Sequence, residues 1–109
     1  MAALAQPIRL RALMLLLREG ELCVCELTHA LAAPQPTISR HLAQLRELAV
    51  VADRRAGHWV YYRLHEELPD WVAQVLRQVA VGAHTQEPYL SDQAALSDMP
   101  NRPGAQCCA

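Results

Sequence analysis

Apolar residues recur along this chain at two different periods. Residues 8–18, IRLRALMLLLR, follow Pro7, which suits a first helical turn. They are apolar on nearly every side, which predicts a helix buried on more than one face and stopped at Gly20. Residues 24–32, VCELTHALA, set Val24, Leu27 and Leu31 on one helical face before Pro34 and Pro36. Residues 36–48, PTISRHLAQLREL, space Ile38, Leu42, Leu45 and Leu48 as a third helix with a polar opposite face. Two short helices joined by a tight turn make a helix-turn-helix. Residues 50–64, VVADRRAGHWVYYRL, switch to an extended, Val- and Tyr-rich pattern, which predicts a hairpin wing with Ala56-Gly57 near its tip. Residues 68–81 return to helical spacing, with Leu68, Trp71, Val72, Val75, Leu76 and Val79 on one stripe. From Gly82 onward the periodicity stops. Pro88, Pro100, Pro103 and Gly104 among scattered polar residues predict a mobile tail.

The expected fold is therefore mainly α with a small β-hairpin, a winged helix-turn-helix. Residues 1–82 form one domain for DNA binding and dimerisation, and residues 83–109 a flexible tail. A 12.1 kDa chain of 109 residues accommodates this, and 52% hydrophobic residues suffice for a core. The terminal helices carry more apolar surface than one small domain hides, so a symmetric homodimer is expected. No apolar run approaches the roughly 20 residues of a membrane span. The N-terminus has no basic leader or small-residue cleavage site, so a cytoplasmic protein with no membrane partner is expected.

The net charge of −1 argues against nucleic acid until its distribution is considered. Residues 34–63 hold Arg40, Arg46, Arg54, Arg55 and Arg63 against Glu47 and Asp53, a net +3, and an acidic tail masks it. All ten basic residues are arginine, suited to two-pronged contacts with phosphate and guanine. A recognition helix reads bases with its first outward residues, here Gln35, Thr37, Ser39, Arg40 and His41. Arg46 lies further along and suits phosphate. Arg54, Arg55 and His58 flank the wing turn and suit backbone or minor groove. The competing interpretation is a merely solvated polar face.

Four cysteines stand in two pairs, Cys23 with Cys25 and Cys107 with Cys108. In a reducing compartment such spacing points to soft-ion binding or redox chemistry rather than a disulfide framework. Cys23 and Cys25 would lie about 200° apart on a regular helix but share a face in a strand. Both sulfurs reach one ion only where the backbone departs from helix.

ELCVCEL, then QPTISRHLAQLREL, then DRRAGHWVYYRL, over roughly residues 4–80, closely resemble the arsenic-responsive repressors of the ArsR family of bacterial metal sensors. The resemblance implies a homodimer that binds double-stranded operator DNA and releases it when arsenite arrives. Antimonite and methylated arsenicals are further candidate inducers. Trivalent arsenic takes three sulfurs in a pyramid, and family members carry a third cysteine where Thr28 stands here. Cys107 or Cys108 is the expected replacement, from the same chain or from the other protomer, since the tail beyond Gly82 reaches roughly 25–30 Å on average. Capture of the ion is expected to unwind or hold open the first turn at residues 22–28 and so move the recognition helix.

Zinc-type relatives place Asp and His pairs on the last helix, where this chain offers only Asp70 and His84. Pro34 stands where relatives have a capping Ser, and Ala49 where they have Gly, so Ala49 should adopt a left-handed conformation at a cost. The alternative function is a thiol redox-sensing regulator on the same scaffold, although closely spaced cysteine pairs are awkward for disulfides. An enzyme is not expected: Glu21 and Glu26 flank the thiols with the wrong sign for nucleophile activation, and no nucleophile–base set is evident.

Overall fold

The computed structural model describes residues 7–100. Helix α1 (Pro7–Glu19) leads into a short strand β1 (Glu21–Cys23), then α2 (Val24–Leu31) and α3 (Gln35–Glu47). The wing follows as β2 (Val51–Ala56) and β3 (Trp59–Leu64), then α4 (Asp70–Ala83) and α5 (Tyr89–Ser97). The architecture is the expected winged helix-turn-helix, with two additions, β1 and α5. Among the described residues no helix is long and apolar enough to cross a membrane.

Helix α1 is the core's axis. Ala12, Leu13, Met14, Leu15 and Leu16 are all buried, and five consecutive buried residues are possible only when neighbours surround the helix. Leu27 and Leu31 of α2, Ile38, Leu42 and Leu45 of α3, and Val72 and Leu76 of α4 close around it. Leu48 does not join them: it is the C-cap of α3 and 58% exposed.

The sheet has the order β1-β3-β2, all antiparallel. The two-residue loop Gly57-His58 closes β2 on β3, with φ of +63° at Gly57, a value glycine adopts without penalty. Three residues are too few to display a strand period, so β1 had no pattern to read. Its pairing of Leu22 with Tyr62 and Cys23 with Tyr61 is a tertiary event.

The stripe expected on α4 divides in two. Val72 and Leu76 face the core, whereas Trp71 and Val75 remain 64% and 41% exposed. The segment beyond Gly82 also departs from expectation. It continues as helix through Ala83 and re-forms α5, which packs on α1 and α2 and buries Leu96 and Asp92. A charged residue holds a core position here because Arg11 meets it: Nε and Nη2 of Arg11 donate to Asp92 at 2.9 and 2.7 Å. Arg11 Nη2 also donates to the Leu31 carbonyl at 3.4 Å, so one guanidinium joins α1, α5 and the end of α2.

Two alanines take the left-handed conformation, Ala32 at the end of α2 (φ +51°) and Ala49 after α3 (φ +59°). The value at Ala49 is as expected. Helix α3 starts at Pro34 without a side-chain cap; the Pro34 carbonyl accepts from the Thr37 and Ile38 amides at 3.0 and 3.1 Å.

Candidate functional site

The two thiols meet where strand becomes helix. Cys23 is the last residue of β1 and the N-cap of α2, with φ −84° and ψ 164°, and Cys25 is the second residue of the helix. The break in periodicity that a shared ion requires is thus present in the fold, and the Cys23 and Cys25 side chains are hydrogen-bonded neighbours. Both are free thiols, Cys23 buried and Cys25 partly so.

Cys23 and Glu26 cap each other. The Cys23 amide donates to Glu26 Oε1 at 2.9 Å, and the Cys23 sulfur accepts from the Glu26 amide. Glu26 is 2% exposed, and this reciprocal pairing accounts for its burial. A Glu three residues after a capping residue is a readable signature; a cysteine in place of the usual serine or threonine hid it. Burial pushes the Cys23 thiol above its ordinary pKa, outweighing the hydrogen bonds from Cys25 and the backbone. Thr28 spends its hydroxyl inside α2, donating to the Val24 carbonyl at 2.8 Å.

These residues open into a cleft of about 730 Å³ between α2, α3 and the wing. Cys23, Cys25, Thr28 and His29 lie on one side, and Gln35 and Ser39 at the start of α3 on another. Arg55, His58 and Trp59 of the wing and Met99 beyond α5 complete it. Thiols, recognition helix and wing therefore share one surface. Cys107 and Cys108 lie outside the described residues. Among the described residues no three His, Cys, Asp or Glu side chains cluster as a metal site, so the thiol pair alone falls short of three protein donors.

The nucleic-acid candidates divide into three groups. Gln35 and Arg40 are exposed on α3, with Thr37 and Ser39 half-buried; Gln35 Nε2 donates to Ser39 Oγ at 2.6 Å. Arg55 and His58 are exposed on the wing. The remaining three are engaged within the protein. Arg46 Nη1 donates to Asp53 at 3.0 Å, tying α3 to the wing. Arg54 is held by Glu21 at 2.8 and 2.7 Å and lies 4.7 Å over the Tyr61 ring. His41 accepts through Nδ1 from Arg9 Nε at 3.0 Å, which turns it toward α1. Desolvation, then Arg9 and Arg40, hold its pKa below the ordinary value. Glu21, Glu26, Asp53 and Arg9 could not be assigned from sequence, because their roles depend on partners remote in the chain or on a cysteine cap.

Residues 6–52 match the family model of bacterial regulatory proteins of the arsR family. The chain is 57% identical to the arsenic resistance transcriptional regulator ArsR1 of Pseudomonas putida, over 92% of this chain and 77% of that one. It is 51% identical to the arsenical resistance operon repressor of Escherichia coli, over 67% of this chain and 62% of that one. In structure it resembles HlyU from Vibrio cholerae, with a TM-score of 0.67 at 32% identity over 75% of this chain and 85% of that one. It also resembles the antimony-specific transcriptional repressor AntR, with a TM-score of 0.63 at 28% identity over 78% of this chain and 77% of that one. With a winged helix-turn-helix, a matching family model and these relatives, the chain belongs to the arsR family of bacterial regulatory proteins.

Proposed function

We propose that this chain is a homodimeric repressor of an arsenic-resistance operon, which leaves its double-stranded operator when trivalent arsenic or antimony is captured by Cys23 and Cys25. The observation that carries this reading is the neighbouring pair of thiols at the N-cap of α2, opening on the same cleft as the first turn of α3 and the wing. High identity to named arsenic-resistance regulators supports the choice of ion.

Capture balances without redox chemistry. Each thiol replaces one hydroxide of arsenous acid: an As–O bond breaks, an As–S bond forms, and the S–H proton leaves with the hydroxide as water. Each thiol brings its own proton to this exchange. Soft sulfur favours such an ion over harder competitors. Joining both sulfurs to one atom draws Cys23 out of its reciprocal cap with Glu26. The first turn of α2 loosens, and α2 carries α3 with it, because the two helices pack together. Two sulfurs are the full protein complement for a methylated arsenical, so that class is a second inducer.

On DNA, Gln35, Thr37, Ser39 and Arg40 read bases from the N-terminal half of α3, and Arg55 and His58 contact the backbone from the wing. The dimer forms across the apolar ridge of Trp71, Val75 and Val79 on α4.

The test is a titration of arsenite into the protein bound to DNA from upstream of its own gene. The native chain is expected to dissociate, and Cys23→Ser and Cys25→Ser to bind the same DNA but stay on it. Equal release from both variants would overturn the assignment.

A further inference from the structure

Arg9 has no role in the function proposed above, yet it is bonded to the recognition helix. Its Nε donates to Nδ1 of His41 at 3.0 Å, across 32 residues of chain. Helix α3 turns about 100° per residue, which sorts its side chains by flank. Ile38, Leu42 and Leu45 form the buried seam. Arg40 points away from that seam and is exposed. Gln35 and Ser39 lie on the flank toward the wing, where they share the cleft with Arg55 and His58. Thr37 and His41, one turn apart, lie on the opposite flank, and Arg9 at the start of α1 stands beside it.

Each flank of the recognition helix thus carries an arginine that no carboxylate neutralises. Arg46 and Arg54 are paired with Asp53 and Glu21, whereas Arg9, Arg40 and Arg55 have no carboxylate partner among the described residues. The first turns of α1 and α3 carry no acidic residue either. A neutral imidazole fixes an arginine in place without cancelling its charge. Desolvation, then the charges of Arg9 and Arg40, hold the His41 pKa below its ordinary value and so favour that neutral form. A helix lying in the major groove, about 12 Å wide, has a phosphate backbone on either side of it. The wing is placed for one backbone and Arg9 for the other.

We infer that Arg9 is a DNA phosphate contact outside the helix-turn-helix and the wing, and that His41 is the residue that positions it rather than a reader of bases. The inference rests on the operator binding proposed above and adds a second backbone contact to it.

Fluorescence anisotropy on the full chain tests it, across a salt series, with DNA from upstream of its own gene and with an unrelated duplex of the same length. Arg9→Gln keeps an N–H donor for His41 but loses the charge. It should weaken binding to both duplexes alike, by about tenfold. It should also make the slope of log K against log salt shallower by about 0.9 for each protomer on the DNA. Arg9→Lys restores the charge and should recover the slope. His41→Leu removes the acceptor and should weaken binding to both duplexes. His41→Asn restores an acceptor near the position of Nδ1 and should recover most of that loss. A native slope for Arg9→Gln overturns the inference whatever the affinity, because a purely structural role leaves the number of phosphates contacted unchanged. A loss confined to the upstream DNA also overturns it, since Arg9 would then be reading sequence. His41→Leu binding as tightly as His41→Asn overturns the positioning role. A native chain that binds the upstream DNA no better than the unrelated duplex overturns the operator reading itself.

Discussion

Arg54 on β2 and Glu21 on β1 grip each other through two charge-assisted hydrogen bonds, Nε to Oε2 at 2.8 Å and Nη2 to Oε1 at 2.7 Å. A carboxylate fork in this geometry presents the same acceptors as a phosphate. If Arg54 contacts DNA as expected, Glu21 competes for it, and the strand that bears Glu21 ends on Cys23. Glu21→Gln removes the competitor. Exposed pairs are worth about 0.2–1 kcal/mol, so operator binding should tighten about 1.5- to 5-fold. One added phosphate contact should also steepen the dependence of log K on log salt by about 0.9. Fluorescence anisotropy across a salt series reads both; an unchanged slope would show that Arg54 stays off the DNA.

The ridge on α4 makes a second prediction. Trp71 and Val75 are exposed one helical turn apart, an arrangement that water disfavours and a second copy would cover. Trp71→Glu should leave the fold intact, since its side chain is outside the core, and shift the protein from dimer to monomer. Sedimentation velocity measures this, with circular dichroism confirming helix content. Operator affinity should fall with the dimer, because each half-site alone binds weakly. A Trp71→Glu protein that remains dimeric would place the interface elsewhere.

Ala49 holds φ at +59° between the recognition helix and the wing. A left-handed alanine costs about 1–2 kcal/mol, partly offset by its lower entropy when unfolded. Ala49→Gly should therefore stabilise the protein by about 1 kcal/mol, raising the melting temperature by about 4–8 °C. Ala32→Gly, at φ +51°, should act in the same direction. Differential scanning calorimetry decides; destabilisation by both would mean that the strain is absent.

His41 makes stability depend on pH. Its folded pKa lies below the ordinary histidine value, chiefly through desolvation and then Arg9 and Arg40. The unfolded chain then binds the proton more readily, so stability is complete above the unfolded pKa of about 6.5 and declines as pH falls from there toward the folded value. Protonation also removes the Nδ1 acceptor that Arg9 uses at 3.0 Å. Urea midpoints measured from pH 7.5 to 5.0 should fall for the native chain and fall less for His41→Gln. Identical slopes would assign the decline to other groups.

The sequence by itself determined whatever lies in local periodicity and local chemistry. The apolar spacing of α1, the polar outer face of α3 and the glycine at the wing turn were all legible. So was the requirement that Cys23 and Cys25 straddle a break in helix, because sulfurs two residues apart diverge on a regular one. Only the tertiary structure decided features that depend on a distant partner. Strand β1 exists because β3 lies beside it, and three residues alone carry no period. Helix α5 was hidden because one of its two buried positions is an aspartate, which tolerates burial only once Arg11, 81 residues away, neutralises it. Arg46, Arg54 and His41 look alike in sequence as free contacts for DNA; which of them are already engaged depends on Asp53, Glu21 and Arg9, and only folding places those beside them.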